Sequence, residues 1–195
     1  MANDMEQRIR ALHDAGDFTG AATCAVEEYG PEVLGWLVVA TGDAATADEA
    51  FGAACEDLWR GLPSFRWECS ARTWFYTLTR RALVRHRKRA AERPERRIEL
   101  ASFDAAELAR SRTAPWLRTE VKDVFVRLRG SLSEPERELL VLRVDRDLSW
   151  DEIALILGEP GDRAATAARV RKRFQVIKDK LRDLARAEGL FDEDA

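Results

Sequence analysis

The chain is short of the residues that carry most enzymatic chemistry. Among 195 residues there are two histidines, His13 and His86, and three cysteines, Cys24, Cys55 and Cys69. The cysteines are odd in number and lack any Cys-x-x-Cys spacing. They read as thiols of a reducing compartment, not as bridges or zinc ligands. Two histidines give a metal site or an imidazole-based catalytic centre little to build on. The carboxylates are scattered at helix-surface spacing, with no pair marked as acid and base. These shortages argue against an enzyme and against any cofactor. No apolar run approaches the roughly 18 residues that a bilayer span requires, and the polar stretch Met1 to Asp14 has no signal-peptide core. A cytoplasmic protein without membrane insertion is expected.

What is present is apolar material for a core and charge in unusual order. Hydrophobic residues make up 46% of the chain and charged residues 34%. The length suits one ordinary domain or two small ones. Half-length units would bury only about 60% of their unfolded surface, so each would gain from a partner. The formal net charge of −3 conceals strong separation. Residues 1–60 hold three Lys/Arg against twelve Asp/Glu, a net of −9. Residues 80–97 hold nine against two, and residues 163–182 eight against one, each a net of +7. One such cluster alone is most simply a solvated helical face. Two, set apart from an acidic segment, are the footprint of a protein that meets nucleic acid with some surfaces and another partner with others.

The apolar periodicity is helical throughout and predicts an all-α fold. Helices are expected near residues 4–14, 17–29, 31–41, 46–60 and 70–91, with Gly30-Pro31 and Gly42-Asp43 as breaks. Thr46 to Glu49, Ser133 to Glu136 and Ser149 to Glu152 fit the capping-box pattern, in which a hydroxyl caps and a glutamate reaches back. Ala47, Ala50, Phe51, Ala54, Cys55 and Leu58 form one stripe, which makes Cys55 a small core residue. The charged, proline-broken stretch 92–117 reads as a linker between two small modules, 1–91 and 118–195. The second begins with an amphipathic face of Val121, Val124, Phe125 and Leu128. Helices follow from Glu134 to about Val144, from Trp150 to Leu157 and from about Arg163 to Ala187.

Two segments carry candidate chemistry. Residues 148–174 have the layout of a helix-turn-helix: Ser149 caps a short helix, Gly158 closes it, and an arginine-rich helix follows a turn. Arg169, Lys172 and Arg173 flank the apolar seam Val170, Phe174, Ile177 on one side, and Arg171 flanks it on the other. Arg163 and Thr166 stand in the first turns, where base edges would be met. A basic amphipathic helix that merely closes a bundle is the alternative. In residues 62–91, Phe65, Arg66 and Trp67 sit in a loop that Ser70 ends as a cap, and Arg72 and Trp74 open the next helix. Arg81, Arg85 and Lys88 continue along one face. Aromatics beside a cationic track suit unpaired bases and their phosphates. Phe65, Trp67 and Trp74 can equally close a core.

Residues 43–89, especially Glu56 to Arg66 and Arg72 to Tyr76, resemble the second conserved region of extracytoplasmic-function bacterial sigma factors. Leu132 to Arg143 and Leu148 to Ala154 resemble their fourth region. The resemblance implies that module 1–91 binds core RNA polymerase, with Asp48, Glu49, Glu56 and Trp59 on that surface. It implies that loop 62–71 holds a flipped base of the minus-ten element. It further implies that the last helix meets promoter DNA at the minus-thirty-five element, and that an anti-sigma factor is a further partner. The chain departs from the family pattern at Gly52-Ala53, where Gln-Glu is common. It also departs in a turn two residues longer before Arg169, and at Ala167-Ala168, where polar residues are common. These departures keep a second reading open: a sigma-like decoy that occupies an anti-sigma factor without binding DNA.

Overall fold

A computed structural model describes residues 2–92 and 128–187. The linker and the amphipathic face at Val121, Val124 and Phe125 lie outside the described residues. Among the described residues there are helices and turns but no strand. The first four helices are α1 (Ala2–Asp14), α2 (Phe18–Thr41), α3 (Ala44–Gly61) and α4 (Ala71–Glu92). A 3₁₀ turn, Leu62–Ser64, leads from α3 towards α4. Then come α5 (Glu134–Leu140), a π-helical turn (Val141–Asp145), α6 (Trp150–Leu157) and α7 (Arg163–Ala187).

Two expectations about helix ends change. The break expected at Gly30-Pro31 is absent, and α2 runs through Pro31. Proline removes one N–H from a helix interior. Here the flanking Tyr29, Val33, Trp36 and Leu37 are all buried, so tertiary packing outweighs the local cost. The cap of α3 is Asp43, not Thr46: its carboxylate accepts the Thr46 N–H at 3.0 Å. The other two caps form as expected. Glu136 accepts the Ser133 N–H at 2.7 Å, and Glu152 accepts the Ser149 N–H at 2.8 Å.

One core runs through both sets of helices. Ile9, Trp36, Leu37, Leu58, Phe75, Tyr76 and Leu83 fill the first set; Leu139, Leu142, Leu148, Ile153 and Val170 fill the second, and all belong to one cluster. Each large side chain buried this fully contributes about 1.5–3 kcal/mol. The seam of α7 faces inward as its spacing requires, with Val170, Phe174 and Ile177 buried and Leu181 packed against the cluster. Cys55 is half-buried against the core, and all three cysteines are free.

The two sets meet where α2 and α4 pack against α5 and α6. Polar contacts cross this seam. Arg72 donates to the Arg146 carbonyl at 3.0 Å, and the Thr73 hydroxyl donates to Glu152 at 2.8 Å. Arg80 pairs with Glu138 at 2.9 Å, and Arg87 pairs with Glu134. Glu138 is only 6% exposed, and burial pushes its carboxyl above the ordinary glutamate range despite Arg80 beside it.

Candidate nucleic-acid interface

The loop between α3 and α4 is an aromatic assembly. Gly61 lets the chain pass against Trp74, because a Cβ there would lie 2.9 Å from the indole. Phe65 stacks on Trp74 with ring centroids 4.3 Å apart and planes 14° from parallel. Trp67 leans on Phe65 at 4.8 Å and takes a left-handed backbone, φ 58°. Its indole N–H donates to His13 Nδ1 at 3.3 Å. Ser70 caps α4, accepting the Thr73 N–H at 3.0 Å. Phe65, Trp67 and Trp74 are therefore half-buried and packed on the core, while Arg66 projects outward.

The cations of α4 divide by face. Arg81 and Lys88 are exposed. Arg85 is exposed as well but pairs with Asp57 of α3. Arg72 is half-buried, held by Glu32 at 2.6 Å and by the Arg146 carbonyl. Thr77, between Trp74 and Arg81 in α4, is buried, and its hydroxyl donates to the Thr73 carbonyl. Sequence pattern missed Arg80 and Arg87 as partners of Glu138 and Glu134, since nothing local pairs residues so far apart in the chain.

Along α3, Asp48, Glu49, Glu56 and Trp59 are exposed to solvent. Trp59 is 56% exposed, which is unusual for so large a ring. Glu56 pairs with Arg60 at 3.2 Å and Glu49 with His86 at 3.2 Å. Gly52 and Ala53 lie in the same exposed face, so its middle is a shallow floor between acidic groups.

In the second set, α6 ends at Gly158 in the left-handed conformation, φ 65°, and residues 158–162 lead into α7. Asp162 accepts the N–H groups of Ala164 and Ala165 at 3.1 and 3.2 Å. A groove along α7 is lined by Trp150, Ala164, Ala167, Ala168, Arg171, Lys172 and Gln175. Its floor is apolar and small; its rim carries two exposed cations, Arg171 and Lys172. Arg163 is exposed too, 4.0 Å from Asp151. Arg169 donates to the Pro160 carbonyl at 2.6 Å, and Arg173 pairs with Glu159, so both also brace the turn. Thr166 departs from its expected place among the outward residues: it is 3% exposed and its hydroxyl donates to the Arg163 carbonyl.

Among the described residues no cluster of His, Cys, Asp and Glu could hold a metal ion, and no helix is long and apolar enough to cross a membrane.

Comparisons with known proteins find similarity in sequence and in fold. Residues 25–93 match the family model described as sigma-70 region 2, which begins within α2 and ends just past α4. RNA polymerase sigma factor YlaC of Bacillus subtilis (strain 168) is 29% identical over 139 residues, covering 67% of this chain and 76% of that protein. The fold is shared with the sigma factor RpoE, solved with the anti-sigma factor NepR from Bartonella quintana. That match has a TM-score of 0.60 and 17% identity, over 83% of this chain and 94% of the other. It is shared also with CnrH, solved with the cytosolic domain of CnrY, at a TM-score of 0.59 and 20% identity over 94% and 98%. Residues 25–93 thus match the sigma-70 region 2 model, the chain is similar in sequence to one bacterial sigma factor, and it shares its fold with RpoE and CnrH.

Proposed function

We propose that this chain binds core RNA polymerase and directs promoter recognition and opening, with two separate faces for two kinds of partner. The observation that supports this most is the division of its surface. The α3 face combines Asp48, Glu49 and Glu56 with an exposed Trp59, while Arg81 and Lys88 on α4 and Arg163, Arg171 and Lys172 around α7 are exposed cations. An exposed tryptophan among carboxylates suits a basic protein surface with an apolar pocket. Exposed arginines and lysines suit phosphates.

In this reading α3 docks on the polymerase. The loop 62–70 and the outer face of α4 take the melted minus-ten strand, and residues 92–117 pass through the polymerase cleft. The start of α7 enters the groove at minus-thirty-five, where its alanines leave most of the affinity to phosphate contacts. The chain performs no reaction of its own and needs no cofactor; it acts in the cytoplasm. The test is co-elution of the full chain with core polymerase. A Trp59→Ala variant should bind at least about tenfold more weakly, as loss of an interface anchor does. Binding unchanged in that variant would remove α3 from the interface.

A second reading has one observation in its favour. The cations Arg72, Arg80 and Arg87 of α4 are already occupied within the chain. A decoy that only engages an anti-sigma factor would have this closed form as its working state. It would bind that partner yet show no salt-dependent affinity for promoter duplex.

A further inference from the structure

The helix α1 precedes the residues matched by the sigma-70 region 2 model, yet it holds the loop on which strand capture depends. Three of its side chains reach that loop or the start of α4. Glu6 accepts the Ala71 N–H, the first donor of α4, and also the Tyr29 hydroxyl at 2.9 Å. The Arg10 guanidinium lies 5.4 Å from the centre of the Trp67 ring. His13 does most, since it bonds the loop at two points.

His13 Nε2 lies 3.0 Å from the Leu62 carbonyl, which can only accept. His13 Nδ1 lies 3.3 Å from the Trp67 indole nitrogen, which can only donate. The Leu62 carbonyl requires the proton on Nε2; Nδ1, which also lies 3.4 Å from the Asp14 carboxylate, accepts from Trp67 in the Nε2–H tautomer. The imidazole ties the beginning of the loop to its middle. It also packs edge-on against Trp67 at 5.5 Å and against Phe18 of α2 at 5.4 Å. The same Leu62 carbonyl accepts the Phe65 N–H at 3.0 Å, so one oxygen joins the turn and the brace.

The need for a brace follows from the backbone. A bulky residue at positive φ is strained and persists only where its surroundings hold it. Trp67 is such a residue, and its polar anchor among the described residues is His13. With the ring fixed, Arg66 is turned outward into solvent.

We infer that His13 is a positioning residue for promoter opening: it holds the loop 62–70 in the shape that receives an unpaired DNA base, with Glu6 and Arg10 as supports. This rests on the sigma-factor reading above. His13 touches no DNA in this account; it acts through Leu62 and Trp67.

The test compares full-length His13→Phe, which keeps a planar ring and loses both hydrogen bonds, with His13→Gln, which offers a donor and an acceptor. Each is joined to core polymerase and assayed on a duplex promoter and on the same promoter pre-melted around minus ten. His13→Phe should initiate about tenfold less from duplex and within about threefold of the unmodified chain from the bubble. His13→Gln should recover most of the duplex activity. His13→Asn, polar but shorter, replaces the phenylalanine variant if that one fails to fold. In the free protein, the Trp67 indole proton should exchange faster in His13→Phe than in the unmodified chain. Equal losses on both templates, or no loss on duplex, would overturn the inference while leaving the sigma reading intact. No initiation by the unmodified chain on either template would overturn that reading itself, and the proposed role of His13 with it.

Discussion

Single residues show where burial has been accepted against chemistry. Tyr76 is fully buried, and its hydroxyl has no hydrogen-bond partner among the described residues. Burial pushes its phenol well above the usual tyrosine value, so the group stays neutral. A Tyr76→Phe change removes an unpaired polar atom and little volume. It should leave thermal stability unchanged or raise it by up to about 1 kcal/mol. A loss of more than that would show that the hydroxyl has a partner in solution. Residue types in the sequence already marked Phe65, Trp67 and Trp74 as special, but with two meanings, stacking on bases or closing a core. The structure packs all three on the core, and no local pattern could decide this. For Trp67 the polar contact is to His13, 54 residues away in the chain.

Helices were legible to the extent that their signals are local. The limits of α6 and α7 follow from Ser149, Gly158 and a seam of steps three and four, and the structure keeps them. The α2 limits did not, because Gly30-Pro31 is a break signal that buried neighbours override. The start of α3 moved because Asp43 caps ahead of Thr46. Ser149 offers a clean test at this scale. Its hydroxyl accepts the Glu152 N–H at 3.3 Å, and the Glu152 carboxylate bonds back to it. Ser149→Ala should cost about 1 kcal/mol of stability by denaturant unfolding. An unchanged midpoint would mean that water replaces the cap. Along α7, Lys172 is exposed at the rim of the alanine groove. Lys172→Ala should flatten the slope of log affinity for promoter duplex against log salt by about one unit, with similar losses on different sequences. The same slope in both proteins would take this face off the DNA and favour the decoy reading.

Across the molecule, the seam between the two sets of helices is held by charges that no sequence pattern pairs. Two of its carboxylates respond to pH in opposite senses. For Glu152, burial acts to raise the pKa, but the Ser149 hydroxyl and N–H, Thr73 and the Arg72 charge together outweigh it and hold it low. Its contribution is therefore present above the ordinary glutamate range and lost as pH falls through the depressed value. Glu138 is raised, chiefly by burial, so its contribution is complete below the ordinary range and declines as pH rises through the folded value. A neutral side chain at 138 should thus be tolerated, whereas stripping its partner should not. Arg80→Ala leaves a buried carboxylate unpaired, at a cost on the order of 2 kcal/mol to the closed arrangement. Labels on α4 and α5 should move apart in Arg80→Ala and stay close in Glu138→Gln. The reverse order would mean that ionised Glu138 is what holds the seam.

One measurement tests the proposed role at the polymerase most directly. The full-length chain is added to core RNA polymerase with a library of duplex promoters, and transcripts are counted with and without it. The account predicts transcripts that start at defined sites only when the chain is present, and that fall when Arg171 and Lys172 are replaced together by alanine. Tight binding to polymerase with no new start site on any promoter would contradict it.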